Sequence, residues 1–484
     1  MKITPFLVAM LLAGCAVGPD YQRPSVAMPT HFKEAKGWTQ ATPQDAQSKG
    51  DWWSVYHDAT LDSLLRQVSI SNQNVANYAA QYRQAQALAG QSRAELLPTV
   101  GYDASSTRSG SRASTTGQRS VSNSHAADLS ASWELDLWGK LRRTLEENNA
   151  SAEASKAELA NITLSAQSEL AQDYFQTRII DEKIALYQRS IDAYQRYLTV
   201  IQNKYAAGSE SRATLAQAQM QLESARASAQ DYQWQRAQLE HAIALLLGRA
   251  PADFSLPVAK LDAALPAIPN SMPSQLLQRR PDIAYAERNV AAANAAVGVA
   301  IAGYYPDLTL SASGGVSSSA INSLFSLPNR VWSLGPELSG TLLDFGATSS
   351  KVEQARAAYD ASVASYRQAV LTGMGEVEDY LVQLNTLQGE IASQQAATDA
   401  AQESARVTRN QYDAGMIDYL DVATTENSSL SAQQSLLSLQ SAQWVSSVAL
   451  IAALGGGWQA DATNVPPNTS GDGIRQSPVA ASGG

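Results

Sequence analysis

A comparison of the chain with itself constrains the fold more than any single motif does. The stretch KYAAGSESRATLAQAQ, beginning at Lys204, resembles QYDAGMIDYLDVATTE, beginning at Gln411, so Tyr205 and Gly208 correspond to Tyr412 and Gly415, 207 positions later. The same offset carries Leu247 and Gly248 onto Leu454 and Gly455, and Gly139 onto Gly346. Earlier, AELLPTVGYDAS and AGYYPDLTLSAS align Pro98 with Pro306, 208 apart, which puts one indel between two strands. One fold unit therefore occurs twice, over residues 59–249 and 275–457.

Each unit reads as helix, two strands, a very long helix, a turn and a return helix. The leading helix of the first unit is expected over residues 61–97, stopped by Pro98, which cannot donate within a helix. A β-hairpin follows at about 99–137, then a long helix at 139–206 and a return helix at 210–248. The second unit repeats this with a leading helix at 282–302, a hairpin at about 307–344, a long helix at 346–413 and a return helix at 417–454. Neither 139–205 nor 346–412 contains a proline, and about 67 residues of helix span roughly 100 Å, far more than a bilayer. In the first long helix, Ile184, Tyr187, Ile191, Tyr194, Leu198, Ile201 and Tyr205 alternate spacings of three and four. That period implies left-handed helix-on-helix packing. The equivalent positions of the second unit, among them Gln394, Thr398 and Ala401, are smaller or more polar, so the two long helices pack unequally.

The strands alternate. In DLSASWELDL, Leu129, Ala131, Trp133, Leu135 and Leu137 share one face, and Asp128, Ser130, Ser132, Glu134 and Asp136 the other. Val100 and Tyr102 in the first hairpin, and Leu308, Leu310, Trp332, Leu334 and Leu338 in the second, extend the apolar set. Such strands fit a transmembrane barrel, although each alone is a weak signal; a soluble sandwich with one wet face is the other reading. Four strands cannot close, and an open edge in lipid leaves backbone groups unsatisfied. A barrel thus needs several chains, two giving eight strands and three giving twelve. The segments RSGSRASTTGQRSVSNSH and SSSAINSLFSLPN read as loops at the outer surface.

The amino terminus gives an address. MKITPFLVAMLLAG places Lys2 before an apolar run, the form of a signal peptide over residues 1–14. Leu12-Ala13-Gly14-Cys15 matches the lipobox of bacterial lipoproteins, in which cleavage precedes an acylated cysteine. Cys15 is the only cysteine, so it can form neither an intramolecular disulfide nor a zinc site. Ala16 after it, rather than Asp, implies sorting to the outer membrane. Residues 15–58 then form a lipidated N-terminal segment, 250–274 a proline-rich connector, and 458–484 a flexible tail. After the leader no apolar run reaches about 18 residues, so no transmembrane helix is expected. Aromatics at 7% favour long helices with narrow contacts, and a net charge of −10, with no basic stripe, argues against a nucleic-acid partner.

Four stretches carry a family resemblance: CAVGPDYQRP at Cys15, DWWSVYHDATLDSLL at Asp51, LLQRRPDIAYAERNVAAANAAVGVAIAGYYPDLTL from Leu276 and QYDAGMIDYLDV at Gln411. The chain resembles a TolC-like outer-membrane factor of the lipoprotein, NodT type that serves resistance-nodulation-division (RND) efflux pumps. The resemblance implies a mainly α-helical homotrimer with twelve strands in the outer membrane, four per chain, above a periplasmic helical tunnel. It also implies a periplasmic adaptor and an inner-membrane RND transporter as partners. At the helix turns, Tyr412, Leu420 and Asp421 match family positions where a constriction closes the periplasmic mouth, and Asp418 and Asp413 add charge nearby. Rings of leucine and carboxylate would exclude water and set cation preference. Glu210 and Arg212 at the first-repeat turn could pair with second-repeat side chains, while Gly208 and Gly415 suit the turns themselves. Many relatives carry aspartate where this chain has Thr424, which leaves open which helical turn bears the acidic ring. These residues also suit plain cap and turn roles.

Catalysis has little support. His31, His57, His125 and His241 lie in dissimilar contexts, no H-E-x-x-H, G-x-S-x-G or G-x-x-x-x-G-K-[ST] occurs, and no cofactor or metal is expected. The leading reading is a passive efflux duct. A duct for type I protein secretion and a coiled-coil strut anchored to the outer membrane are the alternatives, the strut needing no apolar-faced strands.

Overall fold

The structure is a computed structural model that describes residues 16–27, 29, 32–34, 51–112, 119–261, 265–266 and 280–456. Cys15, the leader, residues 262–264 and 267–274 of the connector and the C-terminal tail lie outside the described residues.

A single 3-10 turn, Trp52–Tyr56, precedes helix α1, Ala59–Ser71. The continuous leading helix expected from the sequence is instead broken. Asn72 ends α1 in an extended conformation, and its side-chain oxygen accepts hydrogen bonds from Asn74 N and Val75 N at 2.9 and 3.0 Å to start α2, Gln73–Glu95. The break is fixed from outside. Asn72 Nδ2 donates to Leu246 O, Ser71 Oγ donates to Leu247 O, and a Cβ on Gly248 would fall 2.1 Å from Ser71 O.

Strands β1, Thr99–Arg112, and β2, Arg119–Leu135, lead into α3, Lys140–Ala206, a helix of 67 residues. Helix α4, Arg212–Leu246, returns along it. The second unit comprises α5, Pro281–Ala302, strands β3, Asp307–Ser318, and β4, Arg330–Ser339, then α6, Ala347–Asp413, and α7, Tyr419–Ala453. At 1.5 Å per residue α3 and α6 are each about 100 Å long. Helix α3 packs against α2 and α5 over the half near the strands and against α4 and α7 over the other half; α6 packs against α5 and α7. Of the sequence seam, Tyr187, Tyr194, Leu198 and Ile201 are buried, and Tyr205 is exposed.

Helices α7 and α5 meet end to end at Arg280. Its buried guanidinium donates to Ala453 O at 2.9 Å and to both Asp282 oxygens, and sits 2.8 Å from Glu376. Among the described residues α7 is the one helix long and apolar enough, by length and composition alone, to cross a bilayer, although serines and glutamines interrupt its apolar residues. It lies between α3 and α6, with Trp444 stacked on Phe175 at 4.6 Å and Val448 and Leu450 fully buried. The same cluster takes in Trp52, Trp53, Tyr56, Leu61 and Leu65, which accounts for DWWSVYHDATLDSLL.

Residues 16–27 form a strap that crosses the start of α3 and runs along α5. Val17 N donates to Trp138 O, Arg143 reaches Val17 O and Asp20, Asn294 donates to Pro19 O, and Tyr21 donates to the buried Glu287. Gly18, with φ of 97°, crosses Gly298 so closely that a Cβ would lie 2.5 Å from its Cα. Further along, Lys33 N and Glu34 N donate to Glu378 of α6.

The four strands form one antiparallel sheet in the order β1-β2-β3-β4. The segment RSGSRASTTGQRSVSNSH is largely strand rather than loop, because Arg108 to Arg112 pair with Asn123 to Arg119 in one unbroken ladder. Directly opposed residues share a face. The register thus assembles Tyr102, Leu129, Gly314 and Trp332 in one row, Val100, Ala131, Ala312 and Leu334 in the next, then Trp133, Leu310 and Pro336, then Leu135, Leu308 and Leu338. This apolar stripe crosses all four strands and is exposed, Tyr102 at 86% and Trp332 at 81%. The other face aligns Ser130, Ser313 and Ser333, and opposes Asp103 to Asp128.

Candidate functional site

Two turns close the end of the molecule remote from the sheet. Each is built the same way: Gly208 N donates to Tyr205 O and Ser209 N to Lys204 O, while Gly415 N donates to Tyr412 O and Met416 N to Gln411 O. Both glycines have φ near 73° and nothing within 4 Å of an added Cβ, so the left-handed backbone alone selects glycine. The return helices then start differently. Ser211 caps α4 by accepting from Thr214 N at 3.0 Å, but Asp418, at the equivalent position of α7, makes no side-chain cap bond. The exposed carboxylates of Asp418 and Asp421 therefore stand free of backbone duty, one turn apart, beside Leu420 at 61% exposure. Asp413 is exposed too, and the Thr424 hydroxyl is spent on Leu420 O.

Tyr412 is placed otherwise. It is buried, its hydroxyl accepts from Lys204 Nζ at 3.2 Å, and the ammonium lies 4.6 Å from its ring centroid. Tyr197 and Tyr419 meet its ring edge-on at 6.4 and 6.1 Å. Tyr419 OH donates to Gln221 Oε1 at 2.9 Å, and Gln221 Nε2 donates to Ala423 O at 2.8 Å. Burial pushes the Tyr419 hydroxyl well above the usual tyrosine range. Arg409 pairs with Glu426 on the flank.

The sequence-derived set is thus divided. Tyr412 belongs to a buried lock between the repeats, whereas Leu420, Asp421 and Asp418 face outward from it. Glu210 and Arg212 have no hydrogen-bond or ion-pair partner within the chain among the described residues; Lys204 and Gln221 make the cross-repeat contacts expected of them. The reason lies in how the repeats diverged. Arg212 is the counterpart of Tyr419, and Tyr205 of Tyr412, yet only the second-repeat members are buried. An aromatic residue in one repeat opposite an arginine in the other was the available signal for Tyr419. Gln221 gave none, because its counterpart is the unremarked Ser428.

Midway along the molecule, where α5 and α7 abut, a groove of about 470 Å³ is lined by Glu169, Gln172, Glu376 and Tyr380. Beside it, burial and the nearby Glu169 raise the Asp173 carboxyl to about 7. At the sheet's base, Lys140 pairs with Glu134 and Asp307 at 3.2 and 3.1 Å. No cluster of His, Cys, Asp and Glu able to hold a metal occurs among the described residues.

The comparisons with known proteins agree with this architecture. The family profile for outer membrane efflux proteins matches residues 64–249 and 272–456, one segment per repeat. The cation efflux system protein CusC of Escherichia coli O6:H1 is 28% identical over 461 residues, covering 95% of this chain and 99% of that protein. The solvent efflux pump outer membrane protein SrpC of Pseudomonas putida is 30% identical over 481 residues, covering 94% and 98%. Among solved structures, the outer-membrane channel OprN superposes with a TM-score of 0.85 at 30% identity over 92% of this chain and 100% of that one. The open state of the Neisseria gonorrhoeae MtrE outer membrane channel gives 0.83 at 28% identity over 92% and 98%. With its duplicated helices, its four-stranded sheet and both family segments in place, the chain belongs to the outer membrane efflux protein family.

Proposed function

We propose that three copies of this chain form the exit duct of a tripartite RND-type efflux pump. The observation that carries this reading is the apolar stripe running in register across all four strands, exposed at the end of two helices about 100 Å long. Each sheet ends in open edges at β1 and β4, which a bilayer does not tolerate unpaired. Pairing β4 of one copy with β1 of the next closes twelve strands from three chains, and the helices continue below as a tunnel wall. A strut would have no use for such a stripe.

In this duct the sheet spans the outer membrane and the helix turns lie in the periplasm, where an adaptor and an inner-membrane transporter engage them. Acylation at Cys15 adds a second anchor: the strap starts beside Trp138, at the foot of the sheet, so the lipid would enter the leaflet next to the barrel. The tip holds the gate. Leu420 and the carboxylates of Asp418 and Asp421, repeated three times around the axis, narrow the mouth and favour cations, with Tyr412 held in the lock that keeps α7 against the first repeat. Across protomers, Glu210 and Arg212 are available to pair. Opening moves α6 and α7 relative to α3 and α4 when pump and adaptor contacts favour that state.

The duct itself is passive, and cargo is chosen largely by the pump. Relatives named for cations and for solvents align equally well, so a susceptibility panel must include both metals and organic toxicants. Deleting the gene should sensitise the cell to at least one class, and restoring the chain should rescue it. Unchanged susceptibility across drugs, dyes, detergents and metals, with no redundant duct expressed, would reject efflux; loss of a secreted protein instead would favour the protein-secretion duct.

A further inference from the structure

We propose that the outward face of the sheet carries a basic collar that binds phosphate-bearing headgroups of the outer-leaflet lipids. The inference rests on the barrel reading above. Register separates the charges of the strands completely. Asp103, Asp128, Glu134, Asp307 and Glu337 fall on the face with Ser130, Ser313 and Ser333, whereas Arg108, Arg119 and Arg330 fall on the face with Tyr102, Leu129 and Trp332. Arg112 takes the position opposite Arg119. Among the described residues the strands hold no acidic residue on the outward face and no lysine or arginine on the inward one.

The side chains of three of these arginines stand free. Arg108, Arg119 and Arg330 are exposed, and none of their guanidinium groups makes a hydrogen bond or ion pair with the described residues. An arginine facing lipid costs about 2–4 kcal/mol at the bilayer midplane and about 0–1 near the interfaces, so their heights decide the matter. Above the Leu135, Leu308 and Leu338 row, the Arg330, Arg108 and Arg119 rows come 8, 12 and 16 residues along β2. With strands tilted about 40° and rising about 3.4 Å per residue, these are heights of roughly 20, 30 and 40 Å. An apolar band is about 25 Å tall. Arg330 and Arg108 therefore bracket its upper edge, and Arg119 stands beyond it. Tyr102 and Trp332 occupy the row immediately below Arg330, the level at which amphipathic rings mark a membrane interface.

A guanidinium matches a phosphate with two parallel hydrogen bonds and holds its charge at any physiological pH. On an outward face with no carboxylate to neutralise it, a lipid phosphate at headgroup height is the complementary partner. Lumenal cargo does not reach this face. The collar would seat the barrel vertically and immobilise a ring of anionic lipid around it.

Full-length trimers should be reconstituted in phosphatidylcholine with and without phosphatidylglycerol as the probe, and retained lipids counted by native mass spectrometry at low salt. The wild type should retain phosphatidylglycerol over phosphatidylcholine, and each of Arg108→Ser, Arg119→Ser and Arg330→Ser should lower that preference about fivefold. Arg→Lys at the same positions should restore most of it. An unchanged preference in the triple serine variant, with intact trimers that conduct, would overturn the collar while leaving the duct standing. Competition by millimolar inorganic phosphate equal to that by lipid would overturn the lipid assignment. Wild-type protein that fails to insert in either membrane would instead reject the barrel on which the inference rests.

Discussion

Gln221 offers the sharpest mechanical prediction. Its amide is the polar bridge between α4 of the first repeat and α7 of the second, accepting from Tyr419 OH at 2.9 Å and donating to Ala423 O at 2.8 Å, all three residues being buried. Gln221→Leu keeps the volume and removes both bonds. Losing the bond to Ala423 O costs about 0.5–1.5 kcal/mol net, and the Tyr419 hydroxyl, left buried without an acceptor, costs about 1–3 kcal/mol. The Ala423 carbonyl keeps its helical partner, so the total is about 2–4 kcal/mol. If α7 leaves α4 on opening, the closed state loses that amount, and the open fraction per protomer rises about thirtyfold or more. Planar-bilayer recording of purified trimers should show larger or more frequent openings, and vancomycin should penetrate cells carrying the variant. Tyr419→Phe should open the channel less. The double variant should fall short of the sum, since both changes act on one bond. Intact Gln221→Leu trimers with wild-type conductance would show that the lock does not belong to the gate.

Three further outcomes follow from other parts of the molecule. Asp421→Ala, which removes an exposed first-turn carboxylate of α7 that bonds nothing across the repeats, should raise single-channel conductance and reduce cation preference; trimers with unchanged current would exclude Asp421 from the constriction. Because the Asp173 carboxyl is raised to about 7, first by burial and then by Glu169, the folded state binds its proton more tightly than the unfolded chain. Its ionisation therefore removes stability as pH rises from the ordinary carboxylate range to about 7, and Asp173→Asn should flatten that slope in thermal melts; parallel pH profiles would contradict it. Leu334→Arg, on the outward face, should lower refolding stability in vesicles by about 2–4 kcal/mol, whereas Ser333→Arg, its neighbour on the inward face, should cost little. Equal effects would show that the two faces see the same solvent.

The duplication was legible because it is written in glycines. Gly139, Gly208 and Gly248 recur as Gly346, Gly415 and Gly455, and all six hold positive φ at helix ends. The strand faces were legible for a similar reason, since alternation in DLSASWELDL survives directly in the register. What escaped notice depends on contacts between distant segments. The break at Asn72 looks like helix in sequence, and only the end of α4 docking there makes it a cap. The strand character of residues 108–112 and 119–125 was hidden by serine and arginine, which read as loop when one strand is considered without its partner. At the tip, matching turn motifs suggested matching roles, yet Tyr412 and Tyr419 are buried where Tyr205 and Arg212 are exposed. Glu210 and Arg212 share the turn motif but have no partner within the chain among the described residues, whereas Lys204, on the helical turn before Gly208, reaches Tyr412 in the last turn of α6.

The most direct test of the duct is electrical. Purified full-length protein added to a planar bilayer should insert as trimers and give discrete, cation-preferring current steps that are small in the wild type and larger in Asp421→Ala and Gln221→Leu. Intact trimers that insert and pass no current in any of the three forms would contradict the account.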